Sequence, residues 1–121
     1  MLRRMLRAKI HQATVTDVNL EYDGSLTIPA DLMEKLGILS GEQVEVANLQ
    51  TGARLTTYAI RGRRAGRFQL NGAAARCGLP GDRIIVMVFG LLEDEAARRH
   101  RPLIAKLGPD NRLRRLLRLR A

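Results

Sequence analysis

The sequence contains few aromatic residues and only one cysteine. Its 121 residues include two Phe, two Tyr and no Trp, so the core has to be built mainly from aliphatic side chains. The single Cys77 excludes an intramolecular disulfide, and the sequence has no Cys/His cluster of the kind that binds structural zinc. Neither His11 nor His100 has a Cys or Ser nucleophile at a spacing typical of nucleophilic catalysis. The common catalytic and zinc signatures are therefore missing.

Long hydrophobic runs are also missing. The longest apolar run covers Ile84 to Leu92, which is too short to span a bilayer. The basic start of the chain leads into AKIHQATVT, without the apolar segment of a secretory signal. We therefore expect a cytoplasmic protein with no membrane partner. A length of 121 residues predicts one domain.

The formal net charge of +9 is concentrated at one end of the sequence. Residues 98–121 contain nine Lys or Arg and one Asp, a net charge of +8. Residues 1–97 contain twelve basic and eleven acidic residues, a net charge of +1. A basic end can bind phosphate groups non-specifically, or it can be a solvated and poorly ordered tail. The charge alone does not decide the function.

Short strands separated by turn residues dominate the sequence pattern. β-branched and apolar residues predict strands at 8–16, 25–28, 43–48, 54–61, 68–70, 84–89 and 102–107. The nearly continuous apolar run at 84–89 predicts a strand buried on both faces. The Arg/Leu-rich remainder is amphipathic at best. Many short strands with few helices predict a small closed β-barrel, because closure removes exposed strand edges.

Three short helical segments are predicted between the strands. Pro29 suits the first turn of a helix that ends at Gly37. The inward face of this helix would consist of Leu32, Met33 and Leu36. Asn71 to Arg76 has the composition of a capped helical turn with very small side chains, and Glu93 to His100 has helix-forming composition.

Two stretches contain residues that could carry chemistry. The first places Gly24 and Ser25 after Asp23, although a Gly-Ser turn is common in β proteins. The second contains Arg54 and Tyr58, which share one face of a strand about 13 Å apart at about 3.3 Å per residue. These two side chains could hold a small anion between them, or they could simply be solvated.

The first stretch resembles a DNA-binding family of swapped-hairpin transcription regulators and antitoxins. The resemblance runs from Gly24 to Val46 and includes Ile28-Pro29, Leu36-Gly37-Ile38 and Gly41-Glu42-x-Val44. Ser25 stands where those proteins usually carry a basic residue, which weakens phosphate contact. A DNA-binding module is therefore the alternative function.

A larger set of motifs covers roughly residues 1–111. In order, these motifs are Met5–His11, Ala13–Thr16, Tyr22-x-Gly24-Ser25, Gly52–Ile60, Asn71–Ala75 and Pro80–Asp82. Together they resemble the pyruvoyl-dependent aspartate 1-decarboxylase family, which makes β-alanine and CO2 from L-aspartate for pantothenate and coenzyme A biosynthesis. The motifs are independent of one another and recur at the family's spacing, so the resemblance is specific.

The resemblance implies a fold and an assembly. The expected fold is mainly β, a six-stranded double-psi β-barrel with short helices. The expected assembly is a homotetramer of processed protomers, with four alpha and four beta chains. A maturation factor is a possible further partner, and no specific nucleic acid is expected. The single domain would be cleaved into a beta chain, 1–24, and an alpha chain, 25–121, which carries the basic tail 112–121.

The resemblance also implies a catalytic group that is made from the backbone. After autocatalytic cleavage between Gly24 and Ser25, Ser25 would become a pyruvoyl group that forms a Schiff base with the aspartate amine. This group would replace pyridoxal phosphate, and no metal is expected. A glycine at position 24 is physically suitable, since a residue without Cβ tolerates strained backbone and close approach.

The remaining site residues are implied by the same resemblance. Tyr58 is the expected proton donor, and Thr57 is expected to act in processing and in substrate binding. Lys9 and Arg54 would bind the substrate carboxylates. The pocket would be lined by Asn71, Gly72, Ala73 and Ala74. For His11, a structural role and a processing role both remain open.

Overall fold

The computed structural model describes residues 1–119, which form a mainly β structure. The strands are β1 (Leu2–Thr14), β2 (Asp17–Asn19), β3 (Ser25–Pro29), β4 (Gln43–Asn48), β5 (Arg54–Gly62), β6 (Gln69–Asn71), β7 (Arg83–Glu93), β8 (Leu103–Leu107) and β9 (Leu113–Arg118). The helices are α1 (Ala30–Leu36), α2 (Asp94–Arg99) and a 3-10 helix (Gly72–Cys77). The mainly β class and the short helices that the sequence predicts are confirmed.

The strands pair in the order β2-β6-β3-β5-β4-β7-β1-β8-β9. Within the described residues the two end strands, β2 and β9, do not pair with each other, so the sheet is not closed. The closed six-stranded double-psi barrel is therefore not confirmed. The difference arises because strands are added at both ends: β2 pairs with β6, and β8 and β9 extend the sheet beyond β1.

The longest pairing in the sheet joins β1 and β7. It is antiparallel and runs from Leu2↔Glu93 to Thr14↔Arg83, with register shifts at two places. The strand β1 therefore begins six residues before the predicted start at Ala8, because the basic first residues pair with the apolar end of β7. Gln12 lies in the second register shift and has a φ of 60°, as expected for an irregular residue within a strand.

The core is aliphatic with one buried aromatic ring, Phe68. The helix α1 contributes Leu32, Met33 and Leu36 to it, as predicted from their spacing. Gly37 ends the helix in the left-handed conformation, with a φ of 68°, and its N–H donates to the carbonyl of Glu34. No helix within residues 1–119 is long and apolar enough to cross a membrane.

The apolar strand β7 is buried on one face only, so the predicted burial on both faces is wrong. Ile84, Val86 and Val88 lie in the core, whereas Met87 is half-buried and Phe89 is 40% exposed. A continuous apolar run shows that both faces avoid polar side chains, but it does not show that both are covered within one chain.

The Arg/Leu-rich end of the chain forms the edge strand β9. It pairs antiparallel with β8 from Leu107↔Leu113 to Leu103↔Arg118. The sequence pattern did not predict this strand, because exposed arginines interrupt the alternation of its leucines. Most of the expected tail 112–121 is therefore an ordered strand, while residues 120 and 121 lie outside the described part of the chain.

Candidate active site

Ser25 is the first residue of β3 and lies between two neighbouring strands. On one side β3 pairs antiparallel with β6, with Ser25 opposite Asn71. On the other side β3 runs parallel to β5, with Leu26 beside Ala59. Ser25 is fully buried, although Asp23 and Gly24 before it are exposed. The Gly24–Ser25 peptide bond thus joins an exposed turn to a buried strand.

Both hydrogen-bonding roles of the Ser25 hydroxyl are used. It donates to the backbone carbonyl of Asp23 at 3.1 Å and accepts a hydrogen bond from Asn71 Nδ2 at 2.9 Å. The same Asn71 nitrogen donates to Thr27 Oγ1 at 3.0 Å. Asn71 is fully buried, so its amide is a fixed neighbour of the serine rather than a solvated side chain.

The hydrogen bonds continue from Asn71 toward the surface. Gln69 Nε2 donates to Asn71 Oδ1 at 2.6 Å, and Arg67 donates to Gln69 Oε1 at 2.7 Å. Arg67 also forms an ion pair with Asp17 at 2.6 Å. The connected side chains therefore run from an ion pair at the surface to the buried serine. We call Asp17, Arg67, Gln69 and Asn71 the amide chain.

Gly72 brings the 3-10 helix into close contact with the Gly24 backbone. A Cβ at position 72 would lie 2.7 Å from both the Cα and the N of Gly24 and 2.8 Å from the carbonyl oxygen of Tyr22. Gly72 also has a φ of +61°, a conformation that favours glycine. A residue with a side chain at position 72 would therefore displace the peptide that precedes Ser25.

The residues after Gly72 have small side chains, which allow the backbone of the 3-10 helix to lie close to Gly24. Ala74 is buried and Ala73 is exposed, and the backbone N of Ala73 lies 4.0 Å from where a Cβ on Gly24 would be. The main chain of the 3-10 helix thus forms one wall beside Gly24. The structure places Asn71, Gly72 and Ala73 next to the Gly24–Ser25 turn.

Three of the predicted site residues, Arg54, Thr57 and Tyr58, lie on the strand β5. Since Leu26 lies beside Ala59, the parallel register puts Ser25 at the level of Tyr58. Arg54 and Tyr58 are on the same face of β5, and Tyr58 is 39% exposed. Thr57 lies on the opposite face, paired with Val44 of β4.

Arg54 lines a cavity of about 400 Å³ on the outer side of the sheet. The rest of its lining consists of charged or polar residues outside β7, which are Arg4, Glu42, Gln43 and Glu45, and of residues of β7, which are Met87, Phe89, Gly90 and Leu91. Among the described residues that line it, Ser25, Tyr58 and Lys9 are not found. Arg54 therefore faces a cavity whose lining does not include the serine, although both residues are on neighbouring strands.

Lys9 and His11 lie on β1, which pairs with β7 and β8 rather than with β3 or β5. Lys9 is opposite Met87, and His11 is beside Lys106 of β8. Strand pairing within one chain does not bring Lys9 beside Ser25, because β5, β4 and β7 separate the two strands in the sheet order.

His11 is in an electropositive and partly desolvated position. Burial is the largest effect that lowers the pKa of the imidazole, and the charges of Lys9 and Lys106 lower this pKa further. The Nδ1 atom is buried and has no hydrogen-bond partner within residues 1–119. Burial and the two lysine charges all favour the neutral imidazole.

Four residues near the serine were missed by the sequence reasoning: Asp17, Thr27, Arg67 and Gln69. A local signal existed for two of them. Thr27 is two positions after Ser25, and Gln69 is two positions before Asn71, so each shares a strand face with a candidate residue. Arg67 and Asp17 come together only through the pairing of β2 with β6, which no local pattern indicates.

Comparisons with known proteins agree with the larger of the two resemblances. The family model described as aspartate decarboxylase matches residues 1–114. Two similar curated proteins are the aspartate 1-decarboxylases of Bacillus thuringiensis (strain Al Hakam) and Bacillus cereus (strain AH187). Each is 48% identical over 118 residues, covering 97% of this chain and 93% of the relative.

These matches and the buried serine define the class of the protein, which is a decarboxylating enzyme. The match extends far beyond the Gly24–Val46 stretch that suggested a DNA-binding module, and so it favours the enzyme over that alternative. The chain belongs to the aspartate decarboxylase family. The resemblance stated from the sequence motifs is confirmed.

Proposed function

We propose that this chain converts L-aspartate to β-alanine and CO2 and thereby supplies pantothenate biosynthesis. The observation that carries the proposal is the coincidence of the family match over residues 1–114 with a buried serine that directly follows an exposed glycine. The substrate named for the relatives is aspartate.

We further propose that the chain cleaves itself between Gly24 and Ser25. Ser25 Oγ adds to the Gly24 carbonyl carbon, and the C–N bond breaks as the nitrogen takes up a proton, which leaves an ester. Loss of the Ser25 α-proton expels the Gly24 carboxylate. Water then replaces the nitrogen, ammonia leaves, and the chain 25–121 begins with a ketone.

The surroundings of Ser25 fit this group. Gly72 has no Cβ, so the main chain of the 3-10 helix can lie against Gly24 without a collision. Asn71 Nδ2 already donates to Ser25 Oγ and remains a donor near the oxygen atoms that cleavage produces. The pyruvoyl carbonyl would supply an electron sink for the carbanion that α-decarboxylation generates, without pyridoxal phosphate or a metal.

The other residues are proposed to bind the substrate and move a proton. Tyr58 lies at the level of Ser25 on the neighbouring strand, so its phenol is proposed to protonate the carbon that loses CO2. Arg54 and Lys9 are proposed to bind the two carboxylates, Arg54 through its planar pair of donors. Thr57 is proposed to assist processing and substrate binding, and Gly72, Ala73 and Ala74 to line the pocket.

The proposed assembly is a homotetramer. Two observations support a covered outer face: Phe89 and Leu91 are 40% and 57% exposed, and both line the cavity that contains Arg54. Lys9 is also separated from Ser25 in the sheet order, so contact with a neighbouring copy is a way to complete the site. A maturation factor and a cytoplasmic location remain predictions.

An activity assay with two serine variants tests the proposal. The purified chain should release CO2 and β-alanine from L-aspartate, and Ser25→Ala should release neither. Ser40→Ala is the matched control, since Ser40 is exposed and its hydroxyl accepts from the backbone N–H of Arg61, away from the site. Tyr58→Phe should be cleaved normally and lose about 10²–10⁴-fold in turnover. Salt-resistant, sequence-specific DNA binding without decarboxylation would instead support the DNA-binding alternative.

A further inference from the structure

We propose that Gln69, oriented by Arg67, is a positioning residue for self-cleavage: it fixes the amide of Asn71 so that Nδ2 donates to Ser25 Oγ in the uncleaved chain. The inference rests on the self-cleavage proposed above. It assigns a function to the amide chain, which the roles of Ser25, Tyr58, Arg54 and Lys9 do not require.

The direction of the hydrogen bonds in the amide chain is set at its surface end. A guanidinium group has only donors, so Arg67 can contact the Gln69 amide only through the oxygen Oε1. This contact turns the Gln69 nitrogen Nε2 away from Arg67 and toward Asn71. Asp17 forms an ion pair with Arg67 at 2.6 Å, which keeps the guanidinium in place.

The orientation of the Asn71 amide follows from the same argument. Gln69 Nε2 is a donor, so the Asn71 atom facing it has to be the oxygen Oδ1, which lies 2.6 Å away. The nitrogen Nδ2 then faces the two hydroxyl groups, 2.9 Å from Ser25 Oγ and 3.0 Å from Thr27 Oγ1. Both Nδ2 protons are used, and the amide has one orientation that satisfies every partner.

This orientation determines what the serine hydroxyl can do. A hydroxyl has one proton and two lone pairs. The Ser25 proton points to the Asp23 carbonyl at 3.1 Å, and one lone pair accepts from Asn71 Nδ2. One lone pair remains uncommitted for attack on the neighbouring Gly24 carbonyl. If the Asn71 amide were reversed, Oδ1 would face Oγ, and the serine proton would have to turn toward it.

The amide chain lies apart from the hydrophobic core. Ser25, Thr27, Gln69 and Asn71 share one face of the β3–β6 pair, by register and by their hydrogen bonds. The opposite face carries Leu26 and Leu70, which are fully buried in the core. Changes at position 69 should therefore affect the serine more than the stability of the fold.

Two substitutions at Gln69 distinguish positioning from a structural role. Gln69→Glu keeps the shape and the contact with Arg67 but replaces the donor Nε2 by an acceptor, so the Asn71 amide should reverse. Gln69→Leu removes both hydrogen bonds and imposes no orientation. Positioning predicts that Gln69→Glu cleaves at least about tenfold more slowly than the parent chain and more slowly than Gln69→Leu. A merely structural role predicts the opposite order, because the glutamate keeps more of the native contacts.

The measurement is the first-order rate of Gly24–Ser25 cleavage, followed by intact mass after fresh purification, together with the melting temperature. The matched control is Gln12→Glu, since Gln12 Oε1 also accepts from an arginine, Arg83, at 3.2 Å on the surface. This control should cleave at the parent rate. Melting temperatures of both Gln69 variants should stay within a few degrees of the parent value.

Three results would each overturn the inference while leaving the proposed function intact. The first is cleavage of Gln69→Glu at the parent rate. The second is slower cleavage of Gln69→Leu than of Gln69→Glu, and the third is a loss of cleavage rate that follows a matching loss of melting temperature. A parent chain that never cleaves would overturn the proposed self-cleavage and this inference together.

Discussion

Gly72 shows how a single residue can control the geometry around Ser25. Two properties of Gly72 matter: its φ of +61° and the absence of a Cβ that would lie 2.7 Å from the backbone of Gly24. A residue with a side chain would lose about 1–2 kcal/mol of folding free energy in this left-handed conformation. A Cβ added at position 72 would force the Gly24 backbone to move, because backbone atoms cannot turn aside as a flexible side chain can.

Gly72→Ala should therefore slow cleavage at Gly24–Ser25 by at least about tenfold and lower the melting temperature. Gly41→Ala is the control, since Gly41 has a φ of +90° but, apart from its chain neighbours, no residue among 1–119 comes within 4 Å of where its Cβ would lie. The control should lose some stability through its backbone conformation and cleave at the parent rate. Normal cleavage of Gly72→Ala would show that the close contact does not hold the Gly24 peptide.

His11 provides a test of the electrostatics at the same scale. Its pKa lies below 6.5 because of burial and because of the charges of Lys9 and Lys106. Lys106→Gln should raise this pKa toward 6.5 in an NMR titration of the imidazole, whereas Lys35→Gln on α1 should leave it unchanged. An unchanged pKa in Lys106→Gln would contradict the contribution assigned to Lys106.

The sign of the stability effect follows from the same shift. The folded-state pKa of His11 is lower than its unfolded value, so the unfolded chain binds the proton more readily. Stability should therefore fall as the pH drops from above 6.5 through the folded-state pKa. Lys106→Gln should make this loss smaller in unfolding experiments at a series of pH values.

At the scale of elements, local patterns predicted most of the strands and the helix α1. The face of α1 followed from the spacing of Leu32, Met33 and Leu36, and its end followed from Gly37. The strands β2 and β9 were not predicted. The first has only three residues, and the second is rich in arginine, so neither shows an apolar alternation of strand length. Pairing with an existing strand edge stabilises both.

The strand β9 gives an element-scale prediction. Truncation after Asn111 removes β9 and exposes the edge of β8, so it should lower the melting temperature. A single change, Arg115→Gln, should leave the melting temperature unchanged or slightly higher, because Arg115 lies opposite the like charge of Lys106. An unchanged melting temperature after truncation would mean that the basic end behaves as the solvated tail that its composition also allows.

At the scale of the whole molecule, the sequence motifs predicted the family but not the sheet. Motifs record which residues are present, whereas the order of the nine strands within residues 1–119 depends on long-range pairing such as that of β1 with β7. For the site, the neighbours of Ser25 at 71 and 72 were predicted through the family resemblance. The amide chain beyond Asn71 was not, since Asp17 and Arg67 meet only in the folded chain.

Conversion of Ser25 into the catalytic group, by cleavage of its own peptide bond, underlies every step proposed for the enzyme. The intact mass of the purified protein under denaturing conditions shows whether this conversion has occurred. Two chains are expected, residues 1–24 and 25–121, with the larger one lighter by one ammonia than a plain hydrolysis product. A single uncleaved chain of 121 residues that nevertheless decarboxylates aspartate would contradict the proposed conversion.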